Sequence, residues 1–297
     1  MKEIVIISGK GGTGKTSVTA SFGFLGGKDV VVADCDVDAA DMHLLMKPDF
    51  AQSEDFYSGV VAEINPEKCT QCGLCAEKCR FDAIPVINNQ HVVKKLDCEG
   101  CGYCEKVCPV DAITMRDQNV GDWYISTTKV DNTMVHAKLG IGAENSGKLV
   151  AKVKNEAKAI AEKQHKEFAV IDGSPGVGCP VVSSLSGADF TVIVTEPSVS
   201  GFHDLKRVFE LVKKFKINAG CIINKYDINQ EITDKIMNFL RDENIEHIAS
   251  FPYDENFTRA MTLGKTIVEF DEGELKEKMV NSWTKVKQLV NHENLNV

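Results

Sequence analysis

The stretch Ser8–Ser17, SGKGGTGKTS, constrains the fold more than any other feature of the chain. Four β-branched residues, Ile4, Val5, Ile6 and Ile7, precede it and read as a buried strand. After it, Val18, Phe22 and Leu25 recur at i, i+4 and i+7, so Lys15–Leu25 reads as a helix. Between the two, Gly9, Gly14, Lys15 and Thr16 satisfy G-x-x-x-x-G-K-[ST]. In that setting Gly9, Gly11, Gly12, Thr13 and Gly14 let backbone N–H groups close on phosphate oxygens. The helix N-terminus, which holds Ser17, adds partial positive charge. Lys15 reaches the terminal phosphates, and the Thr16 hydroxyl is a ligand for Mg²⁺.

Strand followed by helix recurs along the chain. Asp29–Ala33, Phe168–Asp172, Phe190–Thr195, Ala219–Asn224 and Ile245–Phe251 are apolar strands, and helices fall near Gly201–Phe215, Gln230–Arg241 and Glu274–Val290. Strands apolar throughout imply a mostly parallel sheet with helices on both faces. The 297 residues allow two domains at ~150 residues each. A net charge of −9 argues against sequence-independent nucleic-acid binding, which needs a basic footprint. No stretch approaches the ~20 apolar residues of a membrane span, and Ile4–Ile7 is too short for a signal peptide. The expectation is a cytoplasmic protein with no direct membrane insertion; the polar tail NHENLNV is not an anchor.

Eight of the eleven cysteines lie between Cys69 and Cys108. They form two runs: Cys69, Cys72, Cys75 and Cys79, then Cys98, Cys101, Cys104 and Cys108, the last followed by Pro109. Each run leads into Asp-Ala-Ile (FDAIPV, then VDAITM), an internal repeat of ~30 residues. In a cytosolic protein, clustered cysteines bind metal more often than they pair as disulfides. Zinc is the simpler alternative, but it favours isolated cysteine pairs meeting at a tetrahedral site. The spacing resembles that of bacterial two-cluster ferredoxins, in which the fourth cysteine of each run ligates the other cluster. The resemblance implies Cys69, Cys72, Cys75 and Cys108 for one 4Fe-4S cluster and Cys98, Cys101, Cys104 and Cys79 for a second. Arg80 stands where the ferredoxin pattern has proline.

KGGTGKT (Lys10–Thr16) resembles the deviant phosphate loop of the MinD/ParA class of ATPases, which includes the nitrogenase iron protein and the Mrp-type cluster carriers. The resemblance implies that Lys10 crosses a dimer interface to the other subunit's nucleotide, as an arginine finger does in trans. Taken alone, Lys10 is also readable as a solvated loop lysine. Val30–Leu45 resembles the first switch of the class, with Asp34 and Asp36 at a strand end; Asp36 then orients the attacking water and senses Mg²⁺. Asp172–Gly178, DGSPGVG, resembles the second switch, in which Asp172 holds Mg²⁺ through water and the Gly176 N–H senses the γ-phosphate. INKYD (Ile223–Asp227) resembles the base-recognition element, with Asn224 on the adenine edge. A bare NKxD also fits guanine read by Asp227; the two-lysine loop favours ATP. Phe251–Phe257 lies where the class packs the purine.

The whole chain thus resembles a MinD/ParA-like α/β P-loop NTPase carrying a small α+β ferredoxin insert. The expected domains are residues 1–61 with 117–297 for the ATPase and 62–116 for the insert. Expected cofactors are ATP, Mg²⁺ and two 4Fe-4S clusters, with Lys10, Lys15 and Asp36 as the catalytic set. The expected partners are a related ATPase, as homo- or heterodimer, and a redox or metal-cofactor-assembly protein. Three outputs stay open: nucleotide-gated electron delivery, an Mrp-type cluster carrier, and a redox-sensing positioning ATPase. The carrier reading is weakened because the ATPase body holds no CxxC.

Three cysteines lie outside the runs. Cys35 and Cys221 sit in or beside apolar strands and read as core. Cys179 stands seven residues after Asp172, at the offset of a cluster cysteine of the nitrogenase iron protein, and is otherwise readable as a small buried residue at a strand–helix junction. Ala143 occupies the place of that protein's other cluster cysteine, so such a bridging site is at best half present. Asn145 or Ser146 is the N-cap candidate for a helix running through Ala161. His43, His136 and His203 read as ordinary polar residues.

Overall fold

The computed structural model describes residues 1–140 and 146–292. Ala143, Asn145 and the tail after residue 292 lie outside the described residues. In chain order the elements are β1 (Lys2–Ser8), α1 (Lys15–Gly26), β2 (Val30–Asp34), α2 (Met42–Met46), β3 (Gln52–Ile64), α3 (Leu74–Lys78), β4 (Val86–Ile87), β5 (Gln90–His91), α4 (Tyr103–Lys106), β6 (Ile113–Thr127) and β7 (Thr133–Leu139). There follow α5 (Ser146–Lys163), β8 (Phe168–Pro175), α6 (Cys179–Leu185), β9 (Phe190–Thr195), α7 (Val199–Phe215), β10 (Asn218–Asn224), α8 (Gln230–Asp242), β11 (Glu246–Phe251), α9 (Glu255–Thr262), α10 (Ile267–Phe270) and α11 (Glu274–His292). The sheet order is β11-β10-β9-β1-β8-β2-β7-β6-β3, and β4 and β5 form a separate hairpin. From β11 to β7 every neighbouring pair is parallel.

The central strands β2 and β9 are buried at every residue, and β1 at all but Lys2. That is why they read as largely apolar runs: helices cover both faces, and the polar residues they do carry, such as Glu3 and Asp34, are buried and partnered. On one face α11 presents Met279, Trp283 and Val286; Trp283 packs on Phe22 of α1 (centroids 5.1 Å apart) and on Phe168 of β8 (5.6 Å). Of the α1 stripe, Val18 and Phe22 are buried, but Leu25 is only half-buried, because the helix ends one residue later. Side chains cap two of the helices that follow central strands. Ser198 Oγ accepts from the Gly201 N–H at the start of α7, and Asn229 Oδ1 accepts from the Ile232 N–H at the start of α8.

The chain divides into two compact units. The first comprises Met1–Glu54, Trp123–Lys138 and the chain from Ser146 on; the second comprises Asp55–Asp122 and the stretch from Leu139. The second is wider than the cysteine insert expected at 62–116, and its boundaries fall within the strands β3 and β6. The second unit is built on little apolar material. Its core is Ala62, Cys75, Ile84 and Ile113, with Cys79, Cys98, Cys104 and Cys108 packed around it. Helix α3 carries Cys75 and α4 carries Cys104.

Candidate functional site

The site-bearing residues of the first unit stand at the carboxyl ends of parallel strands, where open α/β sheets bind ligands. β1 ends at Ser8 and opens into the glycine loop; Asp34 ends β2, Asp172 lies in β8, Glu196 follows β9 and Asn224 ends β10. The loop requires glycine at two points for definite reasons. Gly14 has φ 94°, a conformation that costs a non-glycine residue about 1–2 kcal/mol. A Cβ added there would also lie 2.6 Å from Asn224 Nδ2, and one on Gly9 would lie 2.5 Å from Asp204 Cβ.

Lys15 is buried and lies between two carboxylates, 2.9 Å from Asp172 and 3.3 Å from Asp36. Thr16 Oγ1 donates to Asp172 at 2.8 Å, and Thr19 Oγ1 donates to the other oxygen of the same carboxylate at 2.8 Å. Asp34 accepts the N–H groups of Asp36 (3.2 Å) and Met42 (3.2 Å), tying the two ends of the segment after β2 to one carboxylate. Burial works against the Lys15 charge, but Asp172 and Asp36 outweigh it and hold its pKa above the usual lysine value. Burial, reinforced by the Asp172 charge, pushes the Asp34 carboxyl well up, and burial also raises Asp36 against the pull of Lys15. One ammonium thus serves three buried acids, and the excess acidity falls most heavily on Asp34. An incoming polyphosphate would compete with those acids for Lys15.

The second lysine of the loop is also engaged. Lys10 Nζ lies 2.7 Å from Glu196 and donates to Ser198 Oγ (3.0 Å) and Ser200 Oγ (3.1 Å). Lys225 binds the other oxygen of Glu196 (2.9 Å) and donates to the Gly12 carbonyl (3.3 Å). Burial pushes Glu196 up, yet the two ammonium groups outweigh it and hold its carboxyl below the ordinary range. Asn224 Nδ2 donates to the Thr13 carbonyl at 2.9 Å, and its Oδ1 accepts the Lys225 N–H. Its amide is therefore turned onto the phosphate loop. Asp227, the other candidate base reader, accepts the Tyr253 N–H at 2.7 Å. The Gly176 N–H donates to the Ser8 carbonyl (2.9 Å), which pins the segment after β8 to the start of the loop.

The residues thus fall into two separate bonded sets beside the loop: Lys15, Thr16, Asp36 and Asp172 in one, and Lys10 and Asn224, linked through Glu196 and Lys225, in the other. Sequence reasoning did not single out Glu196, Lys225 or Thr19. An acidic residue directly after an apolar parallel strand was the available signal for Glu196. Of the remaining cysteines, Cys35 and Cys221 are fully buried and burial raises both thiols strongly. Cys179 is exposed at the start of α6, so the reading of it as a buried junction residue fails. A Cβ on Gly147 would lie 3.3 Å from Cys179 Cβ, so the start of α5 comes close to Cys179. His136 is buried with Nε2 3.0 Å from Ser126 Oγ, and its ring stacks on Tyr124.

In the second unit the cysteines surround two separate cavities. One is lined by Cys69, Cys72, Cys75 and Cys108. The other is lined by Cys79, Cys98, Cys101 and Cys104. The fourth cysteine of each run is on the wall of the other run's cavity. All eight are free thiols. Among the described residues no three His, Cys, Asp or Glu side chains converge tightly enough to hold a single metal ion. No helix among them is long and apolar enough to cross a membrane.

Residues 4–267 match the family described as the CobQ/CobB/MinD/ParA nucleotide binding domain. The chain belongs to this family. Within the CobQ/CobB/MinD/ParA family its similarities are with archaeal proteins among others. It is 36% identical over 229 residues to the uncharacterized protein MJ0578 of Methanocaldococcus jannaschii, covering 76% of this chain and 79% of that one. In fold it resembles the cell division ATPase MinD of Pyrococcus furiosus, with TM-score 0.60 and 20% identity over 97% of this chain and 99% of that one. It likewise resembles MinD of Pyrococcus horikoshii, solved with Mg-ADP, with TM-score 0.59, 20% identity, and 97% and 96% of the two chains covered. The MinD-like architecture is therefore an α/β P-loop fold with a mostly parallel sheet.

Proposed function

We propose that the chain is a Mg²⁺-dependent ATPase whose nucleotide state is coupled to an inserted two-cluster ferredoxin, and that it delivers electrons to a redox or cofactor-assembly partner. The observation that carries this reading is the pair of cavities with crossed fourth cysteines. A single ion needs its donors within ~2.3 Å of one point, whereas a four-iron cube takes a thiolate at each of four separated corners. Four cysteines on each cavity wall match the four corners of such a cube. Ala112 also directs its N–H at Cys108 Sγ (3.2 Å), the kind of donor that stabilises a thiolate ligand. A unit with so small an apolar core gains folding energy from such a cofactor.

At the nucleotide site, Mg-ADP in the Pyrococcus horikoshii MinD supports the same class of ligand here. Gly9 to Gly14 would cradle the phosphates and Lys15 would leave its carboxylates for them. Thr16 and, through water, Asp172 would hold Mg²⁺, with Asp36 freed from Lys15 to orient the attacking water. Lys10, released from Glu196, would act across a dimer with a related ATPase. The clusters would supply one-electron transfer when bound; the chain's own contribution is to hold them, and β3 and β6 are the strands in which the chain passes between its two units. β3 starts six residues after α2, which follows the Asp34–Asp41 segment.

The test is anaerobic reconstitution with iron and sulfide, followed by metal and sulfide analysis, EPR of the reduced protein and an ATPase assay. Two four-iron clusters per chain together with Mg²⁺-dependent hydrolysis are expected. Zinc in place of iron, or no hydrolysis, would refute the reading. The fold likeness to MinD over 97% of the chain favours a second reading, a nucleotide-driven positioning ATPase. An ATP-dependent pull-down separates the two: an oxidoreductase or cofactor scaffold supports the first, a membrane or chromosome adaptor the second.

A further inference from the structure

The two halves of the cysteine unit are repeats, so differences between matching positions stand out. The residue seven positions before the first cysteine of each run lies on a cavity wall (62 before 69, 91 before 98). Ala62 lines the cavity of Cys79, Cys98, Cys101 and Cys104; His91 lines the cavity of Cys69, Cys72, Cys75 and Cys108. The repeat has therefore placed a methyl group at one site and an imidazole at the matching point of the other. The His91 backbone N–H donates to Gln71 Oε1 at 3.1 Å, which anchors the strand beside the Cys69–Cys72 loop. A Cβ built on Gly73 would lie 3.7 Å from His91 Nε2, so the ring rests against the cysteine loop itself. His91 Nδ1 is buried and has no hydrogen-bond partner among the described residues. A buried ring nitrogen left so is costly unless something in its surroundings answers it. The other cavity also borders Lys78, Glu99 and Tyr103, but those residues are exposed, and Lys78 Nζ is bonded to Glu77 at 2.8 Å.

Hydrogen bonds to the sulfurs of a cluster raise its reduction potential, and solvent exposure adjusts it further. We propose that His91 makes the two cysteine sites unequal: its ring N–H donates into the cavity of Cys69, Cys72, Cys75 and Cys108 and sets the potential of the cluster held there above that of its neighbour. This rests on the iron–sulfur reading above. His91 acts as a positioning residue for the electron, which then resides at the Cys108 side of the unit rather than being shared equally.

The experiment is an anaerobic potentiometric titration followed by EPR on the reconstituted full chain, on His91→Phe, His91→Gln and Ala62→His, each with iron and sulfide quantified. The native protein should show two separate one-electron waves. In His91→Phe, which keeps a ring and loses the donor, the higher wave should fall toward the lower while the lower stays in place. His91→Gln, which keeps an N–H, should fall between. Ala62→His, which adds a donor to the other cavity, should raise the lower wave and so narrow the gap from the opposite side. Fully loaded His91→Phe and Ala62→His proteins with both waves unmoved would overturn the inference. If His91→Phe fails to load, Ala62→His decides alone. A native chain that takes up no iron would instead overturn the iron–sulfur reading itself, and the metal analysis tells the two failures apart.

Discussion

The close approach of Gly14 to Asn224 makes a quantitative prediction about the phosphate loop. In Gly14→Ala two costs add. The residue must hold φ 94°, which costs an L-residue about 1–2 kcal/mol. The new Cβ must also displace Asn224 Nδ2 from 2.6 Å. That amide is the far end of a side chain and can move, but moving it breaks its 2.9 Å bond to the Thr13 carbonyl, worth about 1 kcal/mol. The variant loop relaxes to escape these costs when empty and must take them up again to hold phosphate, so the sum, about 2–3 kcal/mol, corresponds to a ~30- to 160-fold weaker affinity for Mg·ATP. In an Asn224→Ala background the bond is already absent and the Cβ has room. Gly14→Ala should then cost only the backbone part, leaving a coupling of about 1 kcal/mol between the two positions. Calorimetric titration of Mg·ATP into the four proteins of the cycle measures it. An equal penalty in both backgrounds would refute the claim that Asn224 buttresses the loop, and an unchanged affinity in Gly14→Ala would refute the loop geometry itself.

Glu196→Gln should weaken the hold on Lys10 and Lys225, so self-association on adding Mg·ATP should begin at lower protein concentration than in the native chain; light scattering reads this, and an unchanged midpoint counts against Glu196 as the restraint. Cys79→Ser should deplete iron selectively from the site of Cys98, Cys101 and Cys104 while its own run keeps its cluster; loss from its own run instead would contradict the crossed arrangement. His136 gives a pH signature. Burial, with the His43 charge, depresses its pKa to about 4, so between pH ~6.5 and ~4 the unfolded chain binds a proton that the folded chain refuses. Stability therefore rises with pH across that window, by about 3 kcal/mol in all. Urea denaturation of His136→Phe, compared with the native chain at several pH values, should lose that slope; parallel curves would contradict the burial account.

The nucleotide half of the molecule was legible because its physics is local. β1, β2 and β9 lie inside the sheet and, with β10 beside them, are mostly apolar, so their limits fall within a residue or two of expectation. The motif residues Gly9 to Thr16 also lie consecutively. β3, β6 and β7 went unread for the opposite reason. β6 alternates buried and exposed residues irregularly through MRDQNVGDWYIS, and β3 starts with five residues of which four are charged, polar or both. β3 pairs with β6 across the whole cysteine segment, which composition does not reveal, whereas β6 and β7 are neighbours in both sequence and sheet. Glu196 and Lys225 were missed likewise: their meaning comes from Lys10 and Gly12, about two hundred positions away. The motif reading of Asn224 anticipated its place beside the site but not its bond to Thr13, since an amide at a strand end can turn either way. The crossed sets of cysteines that line the two cavities are those the ferredoxin resemblance implied, not something the spacing alone determined. They gave no hint that His91 and Ala62 would occupy matching points on the two walls.

The central claim is that nucleotide turnover and iron–sulfur electrons are handled together. Its most direct test is the anaerobic redox titration of the fully loaded chain with Mg·ATP, with Mg·ADP and without nucleotide, alongside the same series in Lys15→Ala. The account predicts that at least one of the two potentials shifts with the nucleotide and that Lys15→Ala abolishes the shift. Potentials that are identical in all three nucleotide states, with an ATPase rate that is the same for oxidised, reduced and iron-free protein, would contradict it.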